Sequence, residues 1–172
     1  MAEAQGGEPA TDDTAFVISR TFNAPAHTVF AAWVDGETLQ RWFGPRGVTV
    51  ETKTVDVRPG GVFHYVMTMP NGQAVWGYWT YREVARPARL VFVSMFSDPE
   101  GGLGRNPWTA DWPDHVLNTI TFAEHDGRTT LMLHAVPMDA TDAEQAAFRA
   151  AHDAMQQGWS GTLDQLETAL AT

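Results

Sequence analysis

The chain has 172 residues and no cysteine, enough length for one domain with a sizeable core and no means of forming disulfides, thiolate metal sites or a cysteine nucleophile. Eleven Lys+Arg against 21 Asp+Glu give a net charge of −10, which argues against a nucleic-acid partner and for charge-based solubility. No apolar run is long enough to insert into a membrane, and the first residues lack the basic start and apolar stretch of a signal peptide, so a cytoplasmic location is expected. Nineteen aromatic residues (seven Trp, nine Phe, three Tyr) remain to be accounted for, as core or as the lining of something.

Residues 1–13 read as a disordered acidic tail, with Gly6, Gly7 and Pro9 and no large apolar residue after Met1. Residues 14–172 read as a single domain without linkers or internal repeats. Phe16, Ile18 and Phe22 alternate with polar positions and predict a strand over 14–22. Asn23 or Ala24 can cap a following helix, Pro25 suits its first turn, and Val29, Phe30 and Trp33 share one face. Asp35-Gly36 breaks it. A second short helix carries Leu39, Trp42 and Phe43 and stops at Gly44-Pro45.

The period then changes to two. Strands are predicted over 47–57, 62–69, 74–84, 90–97, 115–124 and 128–136. Their turns are marked by Arg58-Pro59-Gly60-Gly61, Asn71-Gly72, Ala85-Arg86-Pro87 and Asp126-Gly127. The last element opens on Thr141 and Glu144 as a capping box. From there Phe148, Ala151, Met155, Trp159, Leu163, Leu166 and Leu170 recur at helical spacing, predicting one helix of about 30 residues, roughly 45 Å long. A one-sided apolar stripe of that length has to cover a sheet. The fold class is therefore α+β, a seven-stranded antiparallel sheet curled round a long C-terminal helix, with two short helices after the first strand. Such a grip leaves room between helix and sheet, where ligand pockets form.

The order of motifs resembles the START-related helix-grip superfamily, the polyketide-cyclase fold called SRPBCC. Within it the chain is most similar to the family named after the activator of heat-shock-protein-90 ATPase. The resemblance is carried by Trp33, by the block Leu39, Trp42, Phe43, Gly44 and Pro45, and by the strand end Asp56, Arg58, Pro59, Gly60 and Gly61. It continues through Gly77, Tyr81, Glu83 and Pro87, then Thr129 and Leu131, and closes on Gly158, Trp159, Leu163 and Leu166. It implies a fold and a cavity, and with aromatic residues placed around that cavity the leading expectation is binding of a hydrophobic small molecule. The superfamily's breadth keeps two alternatives open, an aromatase/cyclase-like enzyme and a co-chaperone-like interaction module.

Candidate cavity residues follow from these positions. Trp33, Trp42 and Phe43 on the short helices either plug the core or form an aromatic wall. The hairpin of strands 62–69 and 74–84 is aromatic on both faces, so its register stays open; Tyr65, Trp76 and Tyr78 are candidates, with Phe92 on the next strand. If Phe63, Tyr65 and Met67 face in, His64 faces out. The hairpin's other face is then a candidate homodimer interface. Asn118 interrupts the apolar alternation of Val116, Ile120 and Phe122, and as a buried amide it needs partners, either backbone or ligand. His115 begins the same strand, near the expected mouth, and it or a Tyr is the acid–base candidate should the protein be an enzyme. The loop over 98–114 carries Trp108 and Trp112 and is long enough to act as a lid. Met155 and Trp159 lie on the long helix, where Gly158 and Gly161 either permit close approach to the sheet or bend the helix around a ligand.

The six histidines show no metal-ligand spacing, no serine sits in a hydrolase elbow, and the glycines at 101, 102 and 104 do not continue into a phosphate loop. Neither a metal nor a cofactor is expected, and no catalytic residue is assigned.

Overall fold

A computed structural model describes residues 14–171. The predicted tail lies outside them. Strand β1 (Phe16–Phe22) leads into helices α1 (Ala26–Val34) and α2 (Gly36–Trp42). Six strands follow: β2 (Thr49–Val55), β3 (Val62–Thr68), β4 (Ala74–Ala85), β5 (Arg89–Phe96), β6 (His115–His125) and β7 (Arg128–Met138). Two helices close the chain, α3 (Asp142–Ala150) and α4 (His152–Leu170). The seven strands form one antiparallel sheet in the order β1-β7-β6-β5-β4-β3-β2, the meander expected from the turn signals. At the Asp126-Gly127 hairpin both central residues adopt positive φ, 55° and 78°, matching the right-handed twist of the flanking strands.

The alternation of side chains decides the faces. Phe63, Trp79, Tyr81, Phe92, Ile120, Phe122, Leu131 and Leu133 are buried on the concave face. They join Val29, Phe30 and Trp33 of α1, Leu39 and Trp42 of α2, and Leu163 and Leu166 of α4 in one core. Trp42 donates its indole N–H to Ala32 O at 2.9 Å, locking the two short helices together. The Trp33 Nε1 is buried without a hydrogen-bond partner among the described residues, while its ring stacks on Trp159 at 6.2 Å.

Three expectations need correction. The predicted single long helix is two helices, separated at Ala151, whose ψ of 0° departs from helical geometry. The Ala151 N–H bonds both Ala147 O and Phe148 O, a tightened turn at the junction. The capping box itself is as expected, with Thr141 N to Glu144 Oε1 at 3.0 Å and Glu144 N to Thr141 Oγ1 at 3.1 Å. At the start of α1 neither Asn23 nor Ala24 is the cap residue: Pro25 is, and it offers no side-chain bond. Glu124, at the far end of β6, accepts from Ala26 N at 2.8 Å instead. A carboxylate satisfies an orphan amide and complements the positive end of the helix dipole. Finally, Gly158 does not mediate a close approach, since a Cβ there would meet nothing within 4 Å. Gly161 faces Pro45 and Arg46 at ordinary contact distance, 3.7 Å.

The backbone of α4 lies close to β1, α1 and α2 but makes no comparable approach to the central strands. On the β1 side, Arg20 reaches Asp164 at 2.9 Å, Glu167 at 3.2 Å and Ser160 O at 3.3 Å, tying the edge strand to one helix face. At its start His152 Nε2 lies 3.0 Å from Thr14 O and its ring 5.8 Å from Phe16, so the helix is tied to the β1 side at both ends and stands off from the middle of the sheet.

Replacing Glu124 with Ala should lower the unfolding free energy by about 1 kcal/mol in urea denaturation, the usual cost of a lost helix cap. Asn23→Ala should cost much less, because the Asn23 side chain makes no capping bond.

Candidate functional site

The gap between sheet and α4 is a cavity of about 360 Å³. One wall is helical: Phe148, Met155, Gly158, Trp159 and Thr162 recur on a single face of α3 and α4. The opposite wall is the concave sheet, with Tyr65 and Met67 of β3, Val75, Gly77 and Trp79 of β4, Phe92, Ser94 and Phe96 of β5, and Val116 and Asn118 of β6. Phe43 and Pro45 close the end next to the short helices, and Met69, Trp108 and Trp112 also line it. The size is within the range of small-molecule sites.

Several local arrangements shape this space. Tyr65 pairs with Gly77 across the β3–β4 ladder, and a Cβ at Gly77 would fall into the Tyr65 ring, so glycine lets that ring lie flat over the neighbouring strand. Trp79 stacks on Phe92 with centroids 3.9 Å apart, and Phe43 meets Trp79 edge-on at 5.0 Å and Tyr65 at 5.3 Å. Phe43 also approaches Trp159 at 6.2 Å, joining the floor of the cavity to its helical wall. At the other end Trp112 packs on Phe148 at 5.4 Å and Phe96 at 6.5 Å, so the long loop is pinned across the helix and β5. A second, more polar cavity of about 370 Å³ lies under that loop, sharing Phe96 and Trp112 with the first and including Arg105, Asp114 and Glu144.

Asn118 is the main polar feature of the wall. It is buried, and its Nδ2 donates to Ser94 Oγ at 2.9 Å and Val116 O at 3.1 Å. Burial pushes the Tyr65 phenol well above its ordinary range, partly offset by a hydrogen bond from Trp79. Burial does the same to Tyr81, reinforced by repulsion from Tyr65, and the Tyr81 hydroxyl is sealed without a partner among the described residues. Both phenols therefore stay neutral. Among the described residues the cavity lining contains no Asp, Glu, Lys, Arg or His, and no group of three such side chains comes together in a way that could hold a metal ion.

Of the residues singled out from sequence, the structure brings Phe43, Tyr65, Trp76, Phe92, Trp112, Asn118, Met155 and Trp159 to this cavity. Trp33 and Trp42 do not line it: both are fully buried behind Phe43 and Trp159, where they plug the core. Tyr78 lies on the opposite face, because Phe63, Tyr65, Trp79 and Tyr81 take the concave one. Trp76 shares that outer face with Tyr78: it borders the cavity, but its ring packs on His64 at 5.2 Å. His64 faces away from the cavity as expected, yet it is buried there, with its Nε2 3.1 Å from Asp98 O in the long loop. His115 is exposed at the start of β6 and does not reach the lining.

Sequence reasoning passed over Trp79, Ser94 and Thr162 as cavity residues, and left Met67 to the undecided register of the hairpin. Thr162 was recoverable from the helical spacing of Met155 and Trp159. Ser94 needed the β5–β6 register, in which Phe92 faces Asn118 and Ser94 faces Val116.

The two raised phenols fix a sign for the alkaline stability. Folding favours their protonated forms, so their stabilising contribution is complete below the unfolded phenol range near 10 and is lost as pH rises above it. Unfolding free energy should fall above pH ~10, and Tyr65→Phe together with Tyr81→Phe should flatten that fall. An unchanged slope in the double variant would show that these phenols are not responsible.

Comparison with known proteins supports the same architecture. The family model of Activator of Hsp90 ATPase homolog 1-like protein matches residues 23–171. Protein Ms6760 from Mycobacterium smegmatis superposes with a TM-score of 0.75 at 26% identity, covering 92% of this chain and 91% of that one. A protein from Arthrobacter aurescens, solved in solution, gives 0.77 at 24% identity over 94% and 88% of the two chains. The AHSA1 protein from Silicibacter pomeroyi gives 0.68 at 21% identity over 91% and 97%, a likeness of fold. No curated protein matches the sequence. Among the described residues no helix is long and apolar enough to cross a membrane. With a helix-grip fold and a family match over residues 23–171, the chain belongs to the Activator of Hsp90 ATPase homolog 1-like protein family.

Proposed function

We propose that this protein binds a hydrophobic small molecule in the cavity between the sheet and α4. The observation that carries the proposal is the space itself: an open-mouthed pocket of about 360 Å³ lined by aromatic and Met side chains between the sheet and α4. A concave, largely apolar pocket of this size is the usual form of a small-molecule site, and an apolar ligand would cover surface otherwise left to water. Met67, Met69 and Met155 add adaptable thioether walls. Trp108 and Trp112 bring the long loop to the same space, where it serves as the lid that the ligand passes.

Two other readings receive less support. For an acid–base enzyme the cavity offers a neutral phenol and an amide, while His115 stands outside it. For an interaction module the exposed large apolar side chains among the described residues are Val17 on the edge strand β1, Met132 on the neighbouring β7, and Leu103 and Trp108 on the loop. Four such side chains are few against the roughly 20–30 residues a side that a stable interface uses.

The neutral dye N-phenyl-1-naphthylamine should bind with a saturable rise in fluorescence. Gly158→Phe, which projects a ring into the open space beside Trp159, should weaken binding about tenfold or more, equivalent to at least 1.4 kcal/mol. Gly158→Ala should bind the dye as the parent does and gain up to about 1 kcal/mol in stability from helix propensity. No fluorescence rise with the parent protein, or undiminished binding by Gly158→Phe, would overturn the proposal.

A further inference from the structure

The cavity's polar groups narrow the class of molecule it takes, and this step rests on the binding role proposed above. We infer that the ligand is uncharged and mainly apolar, and that it carries one hydroxyl or amide group that both donates and accepts a hydrogen bond, met by Asn118 and Ser94.

The orientation of the Asn118 amide is set by its surroundings. Its Nδ2 lies 3.1 Å from Val116 O and 3.5 Å from Phe92 O, and backbone carbonyls only accept. The nitrogen must therefore be the atom on that side. The same nitrogen donates to Ser94 Oγ at 2.9 Å. This leaves Asn118 Oδ1 with no hydrogen-bond partner among the described residues, on a side chain that lines the cavity, and it is not among the sealed, unpartnered polar atoms. It is an acceptor that can be reached from the cavity.

Ser94 completes the pair. Having accepted the Asn118 N–H, its hydroxyl keeps its own hydrogen to donate. An acceptor and a donor thus stand side by side on neighbouring strands, β6 and β5, in a wall whose other sheet-side hydroxyl, the Tyr65 phenol, is met by the Trp79 N–H. The remaining hydroxyl of the helical wall is already engaged, with Thr162 Oγ1 donating to Gly158 O at 2.9 Å. A ligand lacking a polar group would leave the Asn118 oxygen desolvated without compensation. A charged group would meet no counter-ion, since the lining has no ionised side chain among the described residues. A neutral group with one donor and one acceptor satisfies both conditions.

Displacement of N-phenyl-1-naphthylamine by three size-matched probes tests this. At neutral pH, 2-naphthol should displace the dye at a concentration about tenfold lower than 2-methylnaphthalene, the difference expected when two buried hydrogen bonds are made or missed. The anion 2-naphthoate should be the weakest of the three. Asn118→Leu should retain 2-methylnaphthalene binding and erase the preference for 2-naphthol. Ser94→Ala should reduce that preference, and it serves as the test if Asn118→Leu does not fold. Equal displacement by 2-naphthol and 2-methylnaphthalene, naphthoate binding as tight as naphthol, or a preference that survives in both variants would overturn the inference and leave the binding role standing. Failure of the dye itself to bind would overturn both.

Discussion

The architecture depends on how α4 is held. Its apolar stripe must be buried, and the burial is complete only at Leu163 and Leu166, where β1 and the two short helices close on it. Arg20 fastens that half to the edge strand, and Trp33 stacks on Trp159 from the other side. At its N-terminus His152 bonds Thr14 O and packs on Phe16, while Phe148 of the preceding helix packs on Trp112 of the long loop. A helix fastened along the β1 side of a concave sheet leaves space over the central strands, and the cavity occupies it.

The aromatic residues divide by role around that constraint. Trp33, Trp42, Phe30 and Phe122 fill the closed end of the grip as ordinary core, with edge-on ring contacts of 4.8 to 6.5 Å. Phe43, Tyr65, Trp79, Phe92 and Trp159 continue the same packed network but present one side to a vacancy. The wall is therefore rigid on the sheet side, where rings hold one another, and softer where methionines contribute. Neutrality is also built in. The two inner tyrosines are kept protonated by burial, so the apolar space stays free of charge even though the whole chain carries −10.

Much of this was legible before any coordinates. The turn dipeptides delimited the meander, the capping box located the last helical region, and periodicity placed Met155 and Trp159 on its inner face. What could not be read was anything requiring a choice between faces. The β3–β4 hairpin is aromatic on both sides, so the sequence reading named Tyr78 and not Trp79, whereas the register with β3 and the burial of Phe63, Trp79 and Tyr81 put Trp79 on the concave face. Burial of His64 on the outer face depends on the long loop folding back to it, a contact 34 residues distant in sequence. The cap on α1 comes from Glu124, 98 residues away, which no local pattern announces. The break at Ala151 interrupts a stripe that continues in register on both sides, so spacing alone reads it as one helix.

The central claim, that this interior is a ligand site, is tested most directly by where a bound molecule sits. Protein labelled with ¹³C at its methionine methyl groups offers reporters on both sides of the question: Met67, Met69 and Met155 line the cavity, whereas Met132 is exposed on the outer face. Intermolecular nuclear Overhauser effects from N-phenyl-1-naphthylamine should appear at Met67 and Met155 and be absent at Met132. Contacts confined to Met132, with Met67 and Met155 unperturbed at saturating dye, would contradict it.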